Sequence, residues 1–258
     1  EGVSGVAPHS KIIPIRAFGL VPYSPTYVAD AIDIAVAEGA DVINCSFGGI
    51  AEDADITTSI NNAATNGRNG KGCVIVVSSG NQNGPITYPS MLGNVIAVGA
   101  HRFSGSRLPF SNYGQGLDVV APGEKIATTD RLGSFGYNTN GELAYPVDFP
   151  NKDYTKYFDG TSAAAAFVSG IAALILARYP DLTQAQVRRA IELGCVRPSG
   201  YTYQNDNRTP VGLWNNQVGY GRVDAYAALQ KADVFHQENV ANSIPGIDFE
   251  ITNESSYT

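Results

Sequence analysis

Four short runs of apolar residues, KIIPIRAFG (11–19), DVINCSFGG (41–49), CVIVVSSGN (73–81) and NVIAVGA (94–100), constrain this chain more than any other feature. Their apolar residues are consecutive rather than alternate, so each run reads as a strand buried on both faces. Amphipathic helical stretches separate them. Ser24 and Pro25 supply an N-cap and a first helical position, and Val28, Ile32, Ala35 and Val36 then share one face up to Gly39. Ile56, Ile60, Ala63 and Ala64 do the same over 55–66, with Gly67 as the stop. Doubly buried strands that alternate with such helices require a parallel sheet covered on both sides. The expected fold is therefore α/β: three layers, a mostly parallel sheet with helices on both faces.

From 101 to 158 the pattern turns to Gly, Pro, Asn and Tyr, which predicts loops and hairpins with short strand pieces such as LDVVAPG. SAAAAFVSGIAALILA, within a helix expected over 161–178, is apolar all round and suits a helix buried through the core. Thr183 caps a further helix to about 193, and Asp224 another over 224–231. Beyond Asp233 the chain becomes polar and acidic. Residues 1–232 are thus expected to form the domain, and 233–258 a linker or the start of another domain.

With 258 residues, 43% apolar and 16% charged, the chain has material for one large globular domain or two small ones. A net charge of −7 with scattered Lys and Arg argues against nucleic acid as a partner. No apolar stretch reaches the roughly 20 residues of a membrane span, so none is expected. Cys45, Cys73 and Cys195 are odd in number and lack CxxC spacing, which predicts small buried side chains rather than a disulfide framework or a zinc site.

In parallel α/β sheets the loops leaving the carboxyl ends of the strands gather at one edge, where ligands bind. Three segments fall there: Ser46-Phe47-Gly48-Gly49, Ser78-Ser79-Gly80-Asn81 and the helix start at Gly160-Thr161-Ser162. Taken alone, Ser162 is either a nucleophile or an ordinary hydroxyl opening an Ala-rich helix. Beside an Asn amide and the free N–H groups of a helix N-terminus, it meets the requirements of acyl transfer: a nucleophile, and donors for a developing oxyanion.

At GVSGVAPHSKI, GADVINCSFGG, VIVVSSGNQNG, YPSMLGNVIAVGA, FSNYGQGLDVVAPG, DGTSAAAAFVSGIAALIL and GYGRVDAYAAL the chain resembles the subtilisin-like serine proteases, motif after motif in family order over about residues 2–230. The resemblance implies that Ser162 is the nucleophile and that Asn81 with the Ser162 N–H forms the oxyanion hole. It implies further that Ser46, Phe47 and Gly48, with Ser79 and Gly80, bind substrate, and that Thr87 lies at the floor of the primary specificity pocket. Substrates would be peptides or proteins, and the setting extracellular or at the cell surface. No cofactor is implied for the chemistry. Calcium is often structural in this family, and no Asp-rich loop identifies a site here.

The family takes its general base from a Gly-Thr-His segment, oriented by an Asp on an earlier strand, and neither segment occurs in this sequence. His9, His101 and His236 stand in other settings and read as surface histidines. Both missing segments precede GVAP in the family, so the chain is expected to work with an N-terminal companion fragment carrying the triad Asp and His. Ala163, Ala166 and Phe167 replace the family's usual Met and Pro-His. The alternative reading is a catalytically inactive peptide-binding module of the same fold. A nucleotide-binding domain is disfavoured, because neither GxGxxG nor GxxxxGK[ST] follows any strand. The stretch 124–158 is longer than the family usually carries before the serine, and reads as a surface hairpin or as the leaving-group side of the cleft.

Overall fold

The computed structural model describes residues 3–18, 24–139, 147–205 and 212–242. Its centre is a four-stranded parallel sheet, β1 (Val42–Cys45), β2 (Val74–Ser78), β3 (Ile96–His101) and β4 (Val119–Pro122), with the strands side by side in chain order. Val42 pairs with Val74, Val76 with Ile96, and Val98 with Val119, so the carboxyl ends lie along one edge.

The period of 2 along a strand divides the core into two. Ile43, Cys45, Ile75 and Val77 face α1 (Pro25–Ala37) and α2 (Ala54–Gly70). Val74, Val76, Ile96, Val98, Ala100, Val119 and Ala121 face α3 (Thr161–Arg178), α4 (Gln184–Leu193) and α5 (Ala225–Asn242). This is the expected three-layer α/β fold, a parallel sheet with helices on both faces. α1 opens with Ser24 and Pro25 as expected, although the Ser24 side chain makes no capping bond. The helical dihedrals of α2 break at Gly67, its predicted stop, where Arg68 and Asn69 turn left-handed. Thr183 and Gln186 close a capping box on α4.

The structure corrects three expectations. Residues 11–18 form no strand: Ile12 is 85% exposed and Ile13 also faces solvent. Pro14 removes a ladder donor from the middle of that run, and β1 pairs with β2 alone among the described strands. The last helix does not stop at 231 but runs to Asn242, so the division expected at 232/233 falls inside α5. Phe235 packs on the core, the His236 ring lies 5.0 Å from that of Tyr179, and Asn239 donates to Asp181, which holds this polar sequence against the domain. Residues 243–258 lie outside the described chain. Finally, α3 is not buried all round, because Ala166 is exposed and Ser162, Phe167 and Ser169 are half-buried. By length and composition α3 could cross a membrane, yet its Ala164, Ala165, Val168, Ala172 and Ile175 are packed in the protein core.

The stretch before α3 is an antiparallel hairpin of β5 (Ile126–Thr129) and β6 (Tyr154–Phe158) with a register shift between Ile126 and Thr128. A 3-10 turn over Gly133–Phe135 and two short antiparallel strands, β7 (Gln204–Asn205) and β8 (Leu213–Trp214), complete the elements among the described residues.

Candidate active site

The carboxyl ends of β1 and β2 and the N-terminus of α3 meet at one place. Gly160 precedes α3 with φ +139°, a conformation that glycine alone adopts without strain, and its N–H donates to the Gly123 carbonyl at 2.9 Å. A Cβ at Gly160 would lie 3.5 Å from Asn81 Nδ2 and 3.7 Å from Ser162 N. The side-chain donor and the helix N-terminal donor therefore stand around a common point.

Asn81 presents its nitrogen there because its oxygen is occupied elsewhere. Thr161 donates to Asn81 Oδ1 twice, from its backbone N–H at 3.0 Å and from its hydroxyl at 2.9 Å. A flipped amide would set NH2 against those two donors. The Thr161 hydroxyl oxygen also accepts from Gly80 N at 3.3 Å. Thr161, fully buried, was not singled out in the sequence because it looks like an ordinary helix-opening threonine.

Ser46 and Ser162 clasp each other across the site. The Ser46 hydroxyl donates to the Ser162 carbonyl at 2.9 Å, and the Ser162 hydroxyl donates to the Ser46 carbonyl at 3.2 Å. Behind them Asn44 Nδ2 donates to Ser46 Oγ, and Ser169 donates to Asn44 Oδ1, both at 2.9 Å. Gly48 lies against Thr87, whose Oγ1 would be 3.1 Å from a Cβ at that position, so a side chain at 48 would require Thr87 to give by a few tenths of an ångström. The Ser78 hydroxyl reaches the Phe47 carbonyl at 3.5 Å, and Thr87 donates to the Ser79 carbonyl through its N–H at 3.3 Å. Thus the loops carrying Ser46, Phe47, Gly48, Gly80, Asn81, Thr87 and Ser162 are stitched together by hydrogen bonds, with Ser79 fully buried beneath them, its N–H, carbonyl and hydroxyl all taken up by Val98, Thr87 and Asn112. Phe47 packs edge-on against Phe18 with ring centroids 5.0 Å apart.

In comparison with known proteins, residues 1–221 match the subtilase family, Peptidase_S8. The chain belongs to that family. A calcium-dependent protease of Nostoc sp. (strain PCC 7120) is 34% identical over 263 residues, spanning 90% of this chain and 38% of the relative. Subtilisin Savinase of Lederbergia lenta is 31% identical over 231 residues, 89% of this chain and 71% of the relative. A solved lanthipeptide protease superposes with a TM-score of 0.69 over 87% of this chain and 71% of its own at 24% identity, which speaks to the fold. The subtilase chain thus spans 38% of the length of the Nostoc relative.

The histidines of this subtilase chain differ from expectation at one position. His9 is exposed and His236 half-buried, its Nδ1 2.8 Å from Asp181 Oδ1. His101, expected at the surface, is only 4% exposed. It ends β3 on the face away from α3, its Nδ1 donates to the Arg102 carbonyl at 2.8 Å, and burial lowers its pKa. Among the described residues no hydrogen bond links a histidine to Ser162. The cysteines are free; Cys45 and Cys73 are buried and Cys195 half-buried. Burial pushes the Cys45 thiol up to about 12, which removes it as a nucleophile.

No group of three or more His, Cys, Asp or Glu able to hold a metal occurs among the described residues. In the hairpin, Asp130 accepts N–H bonds from Arg131 and Asn138, and Asp153 accepts one from Gly133.

Proposed function

We propose that this chain is the nucleophile-bearing and oxyanion-binding part of a serine endopeptidase that hydrolyses peptide bonds through an acyl-enzyme on Ser162. One observation carries the reading: Asn81 Nδ2 and Ser162 N stand 3.5 and 3.7 Å from the same point, the position of a Cβ on Gly160. In the reaction, the Ser162 hydroxyl attacks the scissile carbonyl carbon and the carbonyl oxygen takes up negative charge. The Asn81 amide and Ser162 N–H, already oriented, donate to it without reorganisation. The Ser46 to Gly48 segment, with Gly80, aligns the peptide backbone, and Thr87 borders the pocket for the residue preceding the cut.

The general base is a histidine oriented by an aspartate, both supplied by an N-terminal segment outside these 258 residues. The reaction needs no cofactor, and the enzyme acts on peptides or proteins outside the cell or at its surface. The second reading, an inactive peptide-binding module, is favoured by the Ser162 hydroxyl's bond to the Ser46 carbonyl rather than to an imidazole. Hydrolysis of a fluorogenic peptide by the enzyme with its histidine-bearing segment present separates the two. The protease reading expects turnover that Ser162→Ala lowers by about a millionfold, the size measured in subtilisin itself. Turnover that survives Ser162→Ala would refute it.

A further inference from the structure

Asn112, in the connection between β3 and β4, is 1% exposed, and every hydrogen-bonding position of its amide is filled. Its Nδ2 donates to the Ser79 carbonyl at 3.1 Å and to Gln82 Oε1 at 3.0 Å. Its Oδ1 accepts from Gln82 N at 2.9 Å and Gly84 N at 3.1 Å. The backbone joins in, Asn112 N donating to the Gly80 carbonyl at 2.9 Å and Ser79 Oγ to the Asn112 carbonyl at 3.2 Å. Gly80 admits this amide: its φ is +106°, and a Cβ there would lie 2.3 Å from Asn112 Nδ2.

Gln82 connects Asn112 to the site. Its Oε1 accepts both from Asn112 Nδ2 and from the backbone N–H of Asn81 at 3.0 Å. Asn81 is therefore held at two ends, its backbone by Gln82 and Asn112 and its side-chain oxygen by Thr161. Gln82 is itself exposed, so burial of its side chain does not explain its place; the shared acceptor does.

We infer that Asn112 and Gln82 are positioning residues for Asn81, fixing the 79–84 loop so that the Asn81 amide already points where the oxyanion will form. The inference rests on the protease reading above. A donor that must find its orientation during the reaction loses part of its transition-state advantage, and a loop free to move by a fraction of an ångström supplies that loss.

Two substitutions test it in the enzyme with its histidine-bearing segment present. Gln82→Met keeps the length of an exposed side chain and removes the shared acceptor; kcat falls about fivefold with KM within about twofold. Asn112→Asp keeps the acceptor contacts to Gln82 N and Gly84 N but loses both donors. Gln82 then turns its NH2 toward the carboxylate and withdraws Oε1 from Asn81, and kcat falls about tenfold or more. In an Asn81→Ala background neither change costs anything further, because the group they orient is gone. Amide hydrogen exchange at Asn81 N–H, which needs no catalysis, speeds up in both variants.

Unchanged exchange at Asn81 in Gln82→Met, an unchanged kcat, or an equal loss in the Asn81→Ala background would each overturn the inference. Failure of the protease reading looks different: the wild-type enzyme itself would not turn over peptide.

Discussion

The two halves of the sheet flanking Ser162 are built differently. On the side of β2, β3 and β4, buried polar groups are tied across elements. Arg188 on α4 reaches Asp118 at 2.6 Å, Glu192 at 2.8 Å and the Gly93 carbonyl, and Asp118 accepts from Ala97 N at 2.7 Å. On the side of β1, Asn44 is exposed, Ile12 and Ile13 face solvent, and the run 11–18 pairs with no strand. Asn81 and its hydrogen-bond partners Thr161 and Gln82 lie on the tied half, whereas β1 is an edge strand that pairs with β2 alone among the described strands. Orienting a fixed donor takes a closed hydrogen-bond network, whereas the β1 edge is the part of this fold that further chain can complete.

The largest expected loss is in the tied half. Arg188→Ala removes the guanidinium held between the buried carboxylates of Asp118 and Glu192, leaving Arg189 3.9 Å from Glu192, and should destabilise the chain by about 3–5 kcal/mol in denaturant unfolding. An Arg188→Ala loss under about 1 kcal/mol would remove the contrast between the halves. Next comes Asn81→Ala, which should lower kcat by about 10²–10³, the range set by subtilisin's own oxyanion asparagine, with a smaller fall in melting temperature because buried Thr161 loses the acceptor of two hydrogen bonds.

A pH effect of intermediate size follows from the same buried cluster. Burial, and then the Asp118 carboxylate, push Glu192 up to about 7, while Arg188 pulls it back. Above the ordinary glutamate pKa of about 4.3 the unfolded chain gives up the proton that the folded protein keeps. Glu192's contribution is therefore present at low pH and is lost as pH rises to about 7. Glu192→Gln should flatten that slope in urea titrations between pH 4.5 and 7.5, a window of about three units chosen from these values. Smaller still, Thr183→Ala should cost about 1 kcal/mol through the lost capping box. Ile12→Ser, in the open half, should change stability of this chain by no more than about 0.5 kcal/mol. An Ile12→Ser cost as large as that of Arg188→Ala would show that 11–18 is packed in solution.

Sequence reasoning reads consecutive apolar residues well. VIVVS and IAVGA carried enough β-branched and small residues to declare doubly buried strands, and Ser162 beside Asn81 was legible because two functional types fell at the same sheet edge. KIIPIRAFG misled because strand propensity is realised only with a partner edge, and Pro14 weakens the pairing. The extension of α5 was hidden by polarity: Asn239 and His236 dock through hydrogen bonds rather than an apolar stripe. Asn112 and Thr161 were missed for a related reason. A lone Asn in a loop and a Thr opening a helix are ordinary turn and cap residues until their partners, distant in sequence, are known.

The most direct test of the central claim is intact-mass analysis after treatment with a fluorophosphonate, which labels only activated serines, with and without the N-terminal segment bearing the histidine. The account predicts a single adduct on Ser162 when that segment is present and none when the 258 residues stand alone. An adduct on Ser162 in the isolated chain would show that a base lies within it, and absence of the adduct in both would show that Ser162 is not an activated nucleophile.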